Sequence, residues 1–81
     1  QLKPLREALK RAESALERVE QRRAALEAKL ADPALYDPSN KEQLKRLLAD
    51  KAAVEQEREA AEMNWLTHAE TLERAERDAA A

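Results

Sequence analysis

Asp32-Pro33-Ala34-Leu35-Tyr36-Asp37-Pro38 interrupts two long runs of helix-forming sequence in a chain that contains no glycine. Proline lacks the N–H that would continue a helix, and Asp placed before proline favours an extended or turn backbone. The segment therefore divides one potential helix into two. Within it, Asp32 can cap a single helical turn begun by Pro33, which brings Leu35 and Tyr36 back over the ends of the flanking helices near Leu30 and Leu44.

On the N-terminal side, Leu5, Leu9, Ala12, Leu16, Val19, Arg23, Leu26 and Leu30 recur in alternating steps of four and three, the seam of a heptad repeat. Pro4 suits the first turn of that helix. On the C-terminal side Leu44, Leu47, Lys51, Val54, Arg58, Ala61, Trp65, His68, Leu72 and Ala75 step by three and four, with Leu48 and Leu66 flanking them. A lone amphipathic helix is unstable in water, so each stripe needs the other. The expected fold is all-α: an antiparallel two-helix coiled-coil hairpin. Helix one covers about residues 4–31, the Asp-Pro-x-Leu-Tyr turn residues 32–38, and helix two about residues 39–77, with fraying beyond. Helix two has two possible caps, Ser39 with Glu42 in a capping box or Asp37 ahead of Pro38. Two registers satisfy the pattern, one pairing residues whose numbers add to about 70 and one a heptad further, at 77. Both set Trp65 against the stretch from Leu5 to Ala12.

With 81 residues, 40% of them charged, and no cysteine, the chain is too short and too polar to enclose a pocket. Without glycine it cannot build a phosphate-cradling loop or a dinucleotide fingerprint. Cysteine nucleophiles are excluded. Ser39 sits at the turn, far from the single imidazole, His68, and Ser14 with His68 has no cleft in which to work. The fragment is expected to be no enzyme, with no catalytic, cofactor-binding or metal site of its own. His68 reads as a seam residue with a wet edge. No apolar run approaches the ~20 residues needed to span a bilayer, and a cytoplasmic setting is expected. Because the chain opens on Gln1 and not Met, it is expected to be a piece of a longer protein.

Net charge is −2. Eight cations face five acids in residues 1–31, and seven face twelve in residues 32–81, so the two helices should attract. The turn end is the more basic, and Lys29, Lys41, Lys45 and Arg46 are the candidates there for phosphate contact. Arg23, Lys51 and Arg58 lie in the seam, where they are expected to reach out and pair with glutamates of the opposite helix.

The turn Asp32-Pro33-Ala34-Leu35-Tyr36-Asp37, together with Glu62-Met63-Asn64-Trp65-Leu66 and Glu70-Thr71-Leu72-Glu73, resembles the C-terminal coiled-coil domain of ABC-F ATPases, nearest to the Uup/YheS type. The resemblance covers roughly Leu16 to Glu73. It implies a parent protein whose ABC cassettes bind ATP and Mg and act on the ribosome in translation. It also implies that the hairpin is an accessory arm touching ribosomal RNA or another nucleic acid. Asp32, Pro33, Leu35, Tyr36, Trp65 and Leu66 carry over as fold-defining residues. The competing expectation is a structural or oligomerising spacer with no nucleic-acid contact.

Overall fold

The computed structural model describes every residue from Gln1 to Ala81 and consists of two antiparallel helices, α1 (Lys3–Leu30) and α2 (Lys41–Ala80). Two short 3-10 turns, Pro33–Tyr36 and Pro38–Asn40, join them. The rod is 64 Å long and 14 Å across. Every residue of both predicted stripes is buried or half-buried. Val54, at 0% exposure, and Ala12, at 3%, are the most enclosed points of the seam.

The heptad letters follow from that seam. In α1, Leu9, Leu16, Arg23 and Leu30 occupy a, and Leu5, Ala12, Val19 and Leu26 occupy d. In α2, Leu44, Lys51, Val54 and their successors continue the same alternation, with Leu44 at a and Leu47 at d. Charged pairs fix the register. Glu20 with Arg58 and Arg23 with Glu55 have numbers adding to 78, and Arg22 with Glu57 to 79. This is the further of the two registers, and it brings Trp65 level with Ala12. The small residue opposite the indole explains how an alanine in so thin a core becomes nearly inaccessible.

Both helices carry the same arrangement: Glu20, Arg23 and Glu27 in α1, and Glu55, Arg58 and Glu62 in α2. Each arginine binds the glutamate four residues further along its own helix, Arg23 to Glu27 at 3.3 Å and Arg58 to Glu62 at 3.1 Å. Each also takes the other helix's leading glutamate, Arg23 Nε donating to Glu55 and Arg58 Nε to Glu20. The cluster therefore has a local two-fold symmetry about the middle of the rod. The expectation that seam cations reach out to the opposite helix holds for Arg23 and Arg58, whereas Lys51 makes no ion pair within 4.0 Å.

The turn is held by side chains as much as by backbone. Asp32 accepts from the Ala34 N–H at 3.0 Å and starts the first 3-10 turn at Pro33. Leu35 is 6% exposed and shares the space at the seam's end with Leu47. Tyr36 departs from the expected lid. It is 57% exposed, and its hydroxyl donates to the Leu30 carbonyl at 2.6 Å, satisfying one of the carbonyls that the end of α1 leaves without a helical partner. Asn40 Nδ2 donates to the Ala34 carbonyl at 2.8 Å.

Of the two possible caps, Asp37 is used: it accepts from the Ser39 N–H at 3.0 Å and from the Ser39 hydroxyl at 2.8 Å. Those bonds hold Pro38–Asn40 as a 3-10 turn, so the α-helix proper begins at Lys41, two residues later than expected. At the other end α2 continues past Arg77 to Ala80. Ala79 and Ala80 are strong helix formers that lose no side-chain entropy there, and the Ala81 N–H still reaches the Arg77 carbonyl.

Candidate nucleic-acid interface

In an antiparallel pair the g positions of the two helices share one side and the e positions the other. Arg22 and Glu57, both g, confirm the pairing with a two-pronged contact at 3.0 and 2.8 Å. Arg22, Ala25 and Lys29 of α1 line one shallow depression with Asp50, Ala53 and Glu57 of α2, which makes the c and g positions of both helices a single continuous face.

Sorted this way, the charge divides across the rod and not only along it. The c and g positions hold six cations, Arg11, Arg18, Arg22, Lys29, Arg46 and Arg74, against three acids, Asp50, Glu57 and Asp78. The b and e positions hold five cations against nine glutamates. One broad face is therefore basic and the opposite one acidic. Arg23 and Arg58 leave the seam toward the acidic face, where Glu20, Glu27, Glu55 and Glu62 receive them.

These contacts move the titration of the groups involved. Hydrogen bonding from Arg23 holds Glu55 below the ordinary carboxylate range, and that from Arg22 does the same to Glu57. Arg58 is pushed up, first by its hydrogen bond to Glu20 and then by the charge of Glu62. Asp37 is held down by the Ser39 N–H and hydroxyl that it accepts.

The four tip cations do not form one cluster. Lys29 (g) and Arg46 (c) lie on the basic face, and Lys41 (e) and Lys45 (b) on the other. All four are exposed and none has an ion-pair partner within 4.0 Å. Among the residues expected to define the fold, Asp32, Pro33 and Leu35 build the turn and Trp65 sits in the seam. Leu66 points outward, 44% exposed. His68 is half-buried in the seam, while Ser14 lies on the outer face of α1.

The hairpin offers no matching donor set for ATP or Mg. No loop of glycine N–H groups exists to cradle a phosphate, and no group of three or more acidic, His or Cys side chains converges at metal-binding distance. No helix is long and apolar enough to cross a membrane.

The fold defines an antiparallel coiled-coil hairpin with a proline-marked tip and charge sorted by face. The sequence profile of the family described as the ABC transporter C-terminal domain matches residues 3–76, and the chain belongs to that family. No curated protein and no solved structure matches it significantly.

Proposed function

We propose that this hairpin is the accessory interaction arm of a longer ATP-hydrolysing protein of the ABC-F type, and that its tip touches nucleic acid, ribosomal RNA foremost. ATP and Mg belong to cassettes outside these 81 residues, and the setting is cytoplasmic. The family match supports the cassette-bearing parent. The observation that carries the nucleic-acid reading is the ionic state of the tip. Lys29, Lys41, Lys45 and Arg46 are all exposed there and none takes part in an ion pair, as Arg22, Arg23 and Arg58 do in mid-shaft. Exposed, uncompensated cations at the end of a rigid rod are available to phosphate oxygens, and releasing the counterions around a nucleic acid favours the contact.

Titration of the chain against fluorescent RNA and DNA, at low and near-physiological salt, tests this. Replacing the four tip cations by Gln should weaken binding and flatten its salt dependence. Unchanged affinity would rule the tip out. The spacer reading predicts a different behaviour, a stable homo-oligomer at micromolar concentration without nucleic-acid binding, which sedimentation velocity would detect.

A further inference from the structure

The basic face is not uniform along its length. Near the tip Asp50 and Glu57 interrupt it, and Glu57 occupies Arg22. Beyond that pair, the c and g positions of α1 from Pro4 to Arg18 and of α2 from Ala60 to Arg74 carry three arginines and no acid, and Asp78, one turn past Arg74, closes the strip at the open end. The arginines are Arg11, Arg18 and Arg74, all exposed and all free of ion-pair partners. Ala8, Ala15 and Ala60 keep the strip low between them. Thr67 and Thr71 fold their hydroxyls back onto their own helix, donating to the Met63 and Thr67 carbonyls at 2.9 and 2.8 Å. Glu7 shares a shallow depression on the outer side of α1 with Lys10, Arg11, Ser14 and Arg18, so the strip's α1 edge carries one carboxylate, and Glu70 holds the corresponding f position of α2.

The spacing is regular. Arg11 and Arg18 are one heptad apart, ~10.5 Å along the helix. The register sets Arg74 level with Pro4, one further heptad toward the open end, so the three guanidiniums rise at equal intervals over ~21 Å. No aromatic side chain lies among them: Trp65 is in the seam and Tyr36 at the tip, so the strip has no aromatic platform on which unpaired bases could stack. At 14 Å across, the rod is also wider than the ~12 Å major groove that admits a single helix.

From this geometry we infer that the shaft strip of Arg11, Arg18 and Arg74 docks the phosphate backbone of a nucleic-acid duplex, lying across the strands and reading no base. The inference rests on the reading of the hairpin as a nucleic-acid arm, and extends the contact from the tip along one face. Arginine suits the task because its planar fork binds a phosphate through two hydrogen bonds. Binding is then independent of sequence, and duplex is bound at least as well as single strand.

The test is fluorescence anisotropy with a 20-base-pair duplex of RNA or DNA, and the matching single strand, over a range of salt. The strip variant Arg11→Gln, Arg18→Gln, Arg74→Gln is compared with a control of equal net charge, Lys3→Gln, Arg6→Gln, Arg77→Gln, whose positions lie off the strip. Circular dichroism verifies that both remain helical. The strip variant should lose roughly tenfold or more in affinity at low salt, and its log–log salt slope should fall by about 2.7, while the control stays close to the parent. Equal losses in the two variants, or tighter binding of the single strand than of the duplex, would overturn the inference while leaving the arm's function intact. Failure of the parent chain to bind any of these probes would overturn both.

Discussion

Arg58 of α2 reaches across the seam to Glu20 of α1 while its second nitrogen holds Glu62, and Arg23 repeats the arrangement in the opposite direction with Glu55 and Glu27. The apolar seam alone is indifferent to a slip of one heptad. The cross-pairs are not indifferent to the nearer register, because there Arg23 would face Leu48 in place of Glu55. Replacing Arg58 or Glu20 by Gln should each lower the unfolding midpoint. Because the two act on one contact, the double variant should lose less than the sum of the single losses. Additive losses in chemical denaturation would mean that the pair does not couple the helices.

Val54 is the one fully enclosed side chain, and Trp65 the largest in the seam. Val54→Ala removes buried methyl groups and should cost about 2 kcal/mol; Trp65→Ala, half-buried, should cost about 2 to 4 kcal/mol. Ala12→Leu should also destabilise, by about 1 to 3 kcal/mol, because the register leaves no volume opposite the indole. Tolerance of Ala12→Leu in thermal unfolding would place Trp65 elsewhere.

At the tip, Tyr36→Phe keeps the ring and removes only the donor to the Leu30 carbonyl. It should cost about 1 kcal/mol, with the α1 amides near Leu30 exchanging faster with solvent. Leu35→Ala should cost more, about 2 to 3 kcal/mol, through a lost buried side chain at the seam's end. An ordering with Tyr36→Phe the more damaging would show that the turn depends on the hydroxyl above its apolar anchor.

The depressed carboxylates set the acid response. Glu55 and Glu57 titrate lower in the folded chain than in the unfolded one, so their contribution is complete above the ordinary carboxylate range and disappears as pH falls through their folded values. The midpoint difference between the parent and Glu55→Gln, Glu57→Gln should be constant from neutrality to about pH 5, then narrow below about pH 4. A difference that does not narrow would mean that the two glutamates act through something other than their charge.

The seam was legible residue by residue, since hydrophobic spacing is a local property and all the stripe positions proved buried or half-buried. The register was not, because a heptad pattern repeats with its own period. The signal that separates the two registers is present in the sequence as the matching Glu20-Arg23-Glu27 and Glu55-Arg58-Glu62 sets, which pair reciprocally in the observed register but not one heptad nearer, where Arg23 would face Leu48. Charge counted along the chain suggested a basic tip and an acidic open end. Its division between faces emerges only when both helices share one heptad frame, which separates Lys29 and Arg46 from Lys41 and Lys45 and reveals Arg11, Arg18 and Arg74 at the end reckoned acidic. Tyr36 was misplaced because its ring suggested burial, whereas its hydroxyl found the nearest unsatisfied carbonyl.

The most direct test of the arm's function is the change in backbone amide shifts of the chain as an RNA duplex is added at low salt. The largest changes should map to the basic face, around Arg11, Arg18 and Arg74 and on to Lys29 and Arg46, with the glutamate-rich face unmoved. Changes confined to that acidic face, or none at all, would contradict the account.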